Sequence, residues 1–219
     1  MDSCLEGLSP DAGSSILFDR LASLPPRPDE LPLSGSFELT ARCNLRCRHC
    51  YIHYPGADTA ELSSAHATAM LDRLAQAGAL LLLLTGGEPL LRPDFRDLYL
   101  HARRLGFLLT LYTNATLVDE SMADFRAEWT PRRIEVSIYG HTPETFDAVT
   151  GAPGAHRRFR EGVDRLLARG LPVCFKMLVM NSNLHEFDKV RAWASSLQRP
   201  FRHDAFVTPR LDGHPIPLA

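Results

Sequence analysis

The chain has 219 residues, 45% hydrophobic and 23% charged, with a formal net charge of −2. That size and apolar content suit one substantial core in the α/β-barrel range, while the dispersed arginines lack the concentrated basic face of a nucleic-acid binder. The longest apolar run, Ala79–Leu84, is too short to span a membrane, and no basic region leads into an apolar core at the N-terminus, so the expectation is a cytoplasmic protein without membrane or nucleic-acid partners.

Residues 1–34 hold a weak helical pattern (Leu17, Leu21, Leu24) followed by the proline-rich run from Leu24 to Pro32, and are read as an arm and stiff linker. From residue 35 to 219 apolar runs of strand length alternate with amphipathic helical patterns. Strands are predicted at Phe37–Thr40, Leu80–Thr85, Leu108–Thr113, Ile134–Ile138, Val173–Val179 and His203–Val207. Helices are predicted over 64–77, 94–105, 120–127, 156–169 and 184–196. Ser63 and Asp119 are expected to cap two of them, and Asn183 with Glu186 to form a capping box before the last. Gly78, Gly106 and Gly170 each stop a helix before the next strand, and the aliphatic runs read as strands covered on both faces. Right-handed crossovers would curl six such parallel strands into a partial (β/α)6 barrel of the TIM-like kind, with the ligand face at the strands' C-terminal ends. Cys43–Cys50, Gly86–Pro89, Thr113–Asn114 and Ser137–Gly140 all fall at those ends.

Five cysteines, three of them at positions 43, 47 and 50, suit a reducing compartment and metal work better than a disulfide framework. Three thiols are one short of a closed four-ligand site, so a metal position is left open for chemistry. The competing readings are a zinc knuckle completed by His49, His53 or Cys174, or an electron-transfer cluster borrowing Cys174. Cys174, between Val173 and Phe175, reads instead as a buried small hydrophobe, and Cys4 as incidental. Gly86 and Gly87 let backbone approach a ligand closely, with Pro89 directing the path beyond Glu88. Asn114 and Ser137 are polar residues at strand ends that could equally bond local backbone. Lys176 alternates with apolar neighbours; a buried ammonium there would need a carboxylate, and the alternative is a strand-end lysine reaching solvent.

Cys-x-x-x-Cys-x-x-Cys after a first strand, Gly-Gly-Glu-Pro after a second, Thr-Asn after a third and Ser-Ile-Tyr-Gly at a fourth resemble the radical S-adenosylmethionine (SAM) superfamily from about Phe37 to Pro209. The resemblance implies a radical SAM core in which Cys43, Cys47 and Cys50 hold three corners of a [4Fe–4S] cluster. SAM would chelate the fourth iron and, on reduction by a flavodoxin or ferredoxin, yield a 5′-deoxyadenosyl radical that abstracts hydrogen from the substrate. It also implies that Gly86, Gly87, Glu88 and Pro89 meet the methionyl ammonium, that His49 packs by the adenine, and that Asn114 and Ser137 lie near ribose or carboxylate. Relatives often carry an arginine where this chain has Val149; Arg157, Arg158 and Arg160 are the nearby arginines.

Phe-Glu-Leu-Thr before the cysteines, Thr-Gly-Ala-Pro-Gly-Ala-His at 150–156 and Lys-Met-Leu-Val-Met-Asn-Ser-Asn at the fifth strand resemble the branch that matures peptides, proteins and peptide-derived cofactors, whose members commonly add a SPASM or twitch domain with auxiliary clusters. The expectation is therefore a radical SAM oxidoreductase acting on a peptide or protein. A tetrapyrrole or small-metabolite enzyme is one alternative, and a non-catalytic Fe–S or zinc scaffold another. No cysteines for a further cluster are present and the chain ends just past the sixth predicted strand, so a fragment without the auxiliary domain is expected and no general base is named.

Overall fold

A computed structural model describes residues 32–52, 61–211 and 213. The predicted arm helix, most of the linker, Cys4 and His53 lie outside those residues. Six parallel strands form one sheet in sequential order: β1 (Ser34–Glu38), β2 (Leu81–Thr85), β3 (Leu108–Thr113), β4 (Arg133–Ser137), β5 (Val173–Leu178) and β6 (Phe201–Asp204). Between them run α1 (Ser64–Gln76), α2 (Phe95–Arg104), α3 (Glu120–Glu128), α4 (Pro143–Thr150), α5 (Ala155–Ala168) and α6 (Phe187–Ser196). In a flat sheet β1 and β5 would stand about 19 Å apart at the usual strand spacing. Here Glu38 of β1 and Lys176 of β5 line one cavity, so the sheet is curled into a partial barrel.

The register assigns the two faces. Leu82, Leu84, Leu109, Leu111, Ile134, Val136, Val173, Phe175 and Met177 point outward and are buried in two hydrophobic clusters under the helices. The inward positions carry Ser36, Glu38, Thr85, Thr110, Tyr112, Glu135, Ser137 and Lys176. This corrects the expectation of strands covered alike on both faces: helices bury only the outer face, and the lumen is largely polar. Leu81 and Leu83, which make β2 read as fully buried, sit on the lumen side and keep partial exposure. Phe159, Val163 and Leu166 of α5 and Val190 of α6 are among the outer side chains that remove about 1.5–3 kcal/mol worth of apolar surface each from water.

Helix ends follow local chemistry. Ser63 accepts from the His66 amide and Asp119 from the Met122 amide, as their sequence positions predict. Gly78, Gly106 and Gly170 take positive φ of 91°, 81° and 66° just past their helices, a region that costs glycine nothing. Most boundaries shift by a residue or so from the sequence reading, and the two end strands and one cap differ more. The first strand begins at Ser34, because Ser34-Gly35-Ser36 pairs with β2 in spite of its low strand propensity. The sixth strand runs over Phe201–Asp204, set by its register with Phe175–Leu178. Asn183 makes no capping box: its amide bridges Met180 N–H and Leu178 C=O, while Glu186 reaches across to the amides of His141 and Thr142. The sequence reading also missed α4, although Thr142 caps it, Pro143 opens it and Gly151 closes it at φ 60°. Among the described residues, no helix is long and apolar enough to cross a membrane.

Candidate active site

The loop leaving β1 carries all three clustered cysteines and is fastened from two sides. Arg46 and Arg48 amides donate to the carbonyls of Thr150 (2.8 Å) and Val149 (3.1 Å) at the end of α4, so Val149 serves this loop through its backbone. On the other side the Gly86-Gly87-Glu88 turn lies directly on the loop, with Gly87 N–H donating to Thr40 C=O (2.7 Å) and Glu88 N–H to Arg42 C=O (2.9 Å). A Cβ on Gly86 would stand 2.3 Å from the Thr40 oxygen, and one on Gly87 2.2 Å from the Arg42 oxygen. The paired glycines are thus required by backbone meeting backbone, and both also line the cavity.

Glu88 lies elsewhere than the sequence suggests. It is fully buried (0% exposed) and does not line the cavity. One carboxylate oxygen accepts from Leu90 N–H (3.1 Å) and the Thr113 hydroxyl (2.9 Å), the other from Asn114 N–H (2.7 Å). Burial pushes its pKa up to about 7 against these three donors. The carboxylate binds the end of β2 to the end of β3, and Pro89, also buried, opens a short 3-10 turn behind it.

Asn114 lines the cavity but its amide is engaged: the nitrogen donates to Asn44 Oδ1 (3.0 Å) and lies 3.9 Å from Cys43 Sγ, while its oxygen accepts from the amide and hydroxyl of Thr116. Cys43 Sγ also accepts from Leu45 N–H at 3.4 Å. His49 stacks at 4.8 Å, tilted, against Tyr139, and burial pulls its imidazole pKa down to about 4, so the ring is neutral near pH 7. The Tyr139 hydroxyl, to which the sequence analysis assigns no role, bonds Ser137 and Cys47. Burial, and then the neighbouring thiols, push Cys47 far up; Cys43 rises to about 11, chiefly by burial.

These residues meet at one cavity of about 300 Å³, lined by the three cysteines, His49, Gly86, Gly87, Asn114, Ser137 and Tyr139 together with Glu38, Tyr51, Tyr112 and Lys176. The donor set fits an iron–sulfur cube better than a single ion. Three thiols stand on the cavity wall, and among the described residues no three His, Cys, Asp or Glu side chains gather where one ion could be held. Cys174 is 1% exposed and does not line the cavity, so it supplies no fourth ligand. Arg157, Arg158 and Arg160 lie on α5 and do not line it either.

Residues 37–194 match the Radical SAM superfamily. An AdoMet-dependent heme synthase of Methanosarcina barkeri is 34% identical over 179 residues, covering 80% of this chain and 50% of that protein. A pre-heme d1 synthase of Dinoroseobacter shibae is 38% identical over 152 residues (67% and 36%), and a PqqA peptide cyclase of Gluconobacter oxydans 31% over 167 (76% and 47%). The chain thus spans at most about half of each of these relatives. Among solved structures, Streptococcus suis SuiB bound to the precursor peptide SuiA superposes with a TM-score of 0.69 at 16% identity, covering 80% of this chain and 39% of that one. Native anSMEcpe with bound AdoMet superposes with a TM-score of 0.67 at 21% identity (78% and 50%), and both likenesses establish the fold. With three thiols on a β1 loop, a glycine pair locked against it and the match over 37–194, the chain belongs to the radical SAM superfamily, whose cofactors are a [4Fe–4S] cluster and SAM.

Proposed function

We propose that this chain is the radical-generating core of an oxidoreductase that abstracts a hydrogen atom from a carbon of a peptide or protein during maturation. The observation that carries the reading is the meeting of Cys43, Cys47 and Cys50 with the Gly86-Gly87 turn at one cavity of about 300 Å³, the low end of ligand-pocket sizes. When bound and reduced, the cluster supplies the electron that splits SAM to a 5′-deoxyadenosyl radical. The chain's own residues hold and orient. Cys43, Cys47 and Cys50 would each take one iron, and Asn114 and the Leu45 amide face the Cys43 sulfur. Gly86 and Gly87 present backbone to the cavity with Glu88 fixing the turn behind them, and His49, Ser137 and Tyr139 form the wall where the nucleoside would lie. Residues 35–219 form this core and 1–34 an arm; the protein works in the cytoplasm with a flavodoxin- or ferredoxin-type reductant, as the reduced cysteines favour. The peptide reading is supported by the residue runs shared with peptide maturases and by relatives named peptide cyclases.

The second reading, a tetrapyrrole substrate, is favoured by the relatives at 34% and 38% identity, which are named heme and pre-heme d1 synthases.

Anaerobic reconstitution followed by dithionite and SAM tests the core reading. Wild type is expected to form 5′-deoxyadenosine, and Cys47→Ala to lose both the brown cluster and SAM cleavage; retention of full cleavage by that variant would end it. Deuterium transfer into 5′-deoxyadenosine from a labelled precursor peptide, set against a labelled iron tetrapyrrole, separates the two substrate classes.

A further inference from the structure

The cysteine loop alternates in what its residues face. Cys43, Leu45, Cys47, His49 and Cys50 line the cavity, while Arg46 and Arg48 between them are exposed. One layer of backbone therefore separates the place of the cluster from solvent at these two arginines. Arg46 lies directly behind a ligand, its guanidinium donating to the carbonyls of Cys43 (2.7 Å) and Leu45 (3.0 Å). The loop meets the α4–α5 turn here, since the Arg46 and Arg48 amides bond the end of α4 and a Cβ on Gly151 would stand 2.8 Å from the Arg46 oxygen. Arg158 of α5 reaches back over the same turn to the Pro153 carbonyl (3.4 Å).

These cations lack the neutralisation that other surface arginines have. Arg165 and Arg169 pair with Glu120, Arg169 also with Asp124, and Arg191 with Asp188. Among the described residues no carboxylate pairs with Arg46, Arg48 or Arg158; Asp147 of α4 accepts instead from the Gly154 and His156 amides (2.5 and 2.8 Å). A chain of net charge −2 thus sets unpaired positive charge on the outside of the loop that carries its clustered thiols. Such a patch steers an oppositely charged partner to that spot and speeds encounter.

We propose that Arg46, Arg48 and Arg158 form the docking face for the electron donor, an acidic one-electron carrier protein of the flavodoxin or ferredoxin kind. The inference rests on the radical SAM reading above and assigns the partner surface of that site. One electron passes across the loop from the reduced carrier to the oxidised cluster, the carrier is oxidised by that electron, and no bond is made or broken. A peptide substrate fits this face less well, because its reacting carbon must enter the lumen, whereas the arginines stand outside the loop against the end of α4.

The full chain is reconstituted anaerobically as wild type, as Arg48→Glu with Arg158→Glu, and as Arg48→Lys with Arg158→Lys; Arg46 is kept because it holds loop carbonyls. Cluster reduction is followed by stopped flow with an acidic flavodoxin in its fully reduced form and, separately, with photoreduced deazariboflavin, a small donor without net charge. At low salt the bimolecular rate with flavodoxin is expected to fall about ten- to a hundredfold in the glutamate pair and to recover in the lysine pair, and added salt should slow wild type steeply. The deazariboflavin rate should be the same in all three. Iron and sulfide content confirm equal loading, and Arg48→Gln with Arg158→Gln replaces the glutamate pair if that one does not load. A flavodoxin rate within about twofold of wild type would overturn the assignment. So would an equal loss with both donors, since that reports a disturbed cluster. Wild type whose cluster loads and is reduced by deazariboflavin yet cleaves no SAM would instead overturn the underlying reading.

Discussion

Single residues at the strand ends do work that their identities alone mislabel. Gly86 and Gly87 look like a ligand cradle, yet the distances that forbid a side chain run to the backbone oxygens of Thr40 and Arg42. Glu88 looks like a partner for an external ammonium, yet its two oxygens satisfy three internal donors. A consequence for pH follows. Its folded pKa of about 7 lies above the usual carboxylate value of 4.5, so between those values the folded chain binds the proton more tightly than the unfolded one. Stability from this group is full below pH 4.5 and is lost as pH rises through 7, by about 3 kcal/mol. Buried His49 has the opposite slope between about pH 4 and 6.5, so the comparison must be made against a variant. In urea melts of the cluster-free chain from pH 4.5 to 8, wild type should lose about that much relative to Glu88→Gln. Parallel profiles would show that Glu88 is ionised throughout.

At the scale of elements, α2 and α3 meet over a buried cation. Arg126 is 1% exposed and lies 3.5 Å above the Tyr99 ring, with Phe95 and Phe125 also within reach, and its guanidinium nitrogens have no hydrogen-bond partner among the described residues. Burial pulls its pKa down to about 10. Cation–π contact offsets part of the desolvation, but five unsatisfied donors remain a net cost. Arg126→Met, which keeps length and apolar stem, is therefore expected to stabilise the chain by about 1–3 kcal/mol at pH 7. An unchanged or lowered melting temperature would mean that the aromatic cage alone compensates the charge. The same scale shows what local pattern can deliver. Ser63, Asp119 and the stop glycines were legible because caps and stops act within one turn of the helix they end. Helix α4 carried equally local signals in Thr142, Pro143 and Gly151, and was passed over because only eight residues separate its ends. Ser34–Ser36 could not be read as strand, since its pairing with Leu81–Leu83 supplies what its composition lacks.

For the whole molecule, among the described residues the sequential sheet leaves β1 and β6 as edges, and β6 is mostly exposed while β3 and β4 are flanked on both sides and largely buried or half-buried. Local opening should follow that gradient. In hydrogen-exchange mass spectrometry the amides of Phe201–Asp204 are expected to exchange orders of magnitude faster than those of Leu108–Thr113; equal protection would show that β6 is not a separable edge. The alternation of apolar runs with capped helices and the spacing of three cysteines were determined by sequence alone, because each depends on contacts within a few residues. Tertiary structure decided which side chains share the cavity. Cys47 and Lys176 are distant in the chain, and only the register from β1 to β5 sets them on one wall, just as only the curl of the sheet makes its polar face a lumen. Strand pairing and curvature are sums of long-range packing, which no short window of sequence encodes.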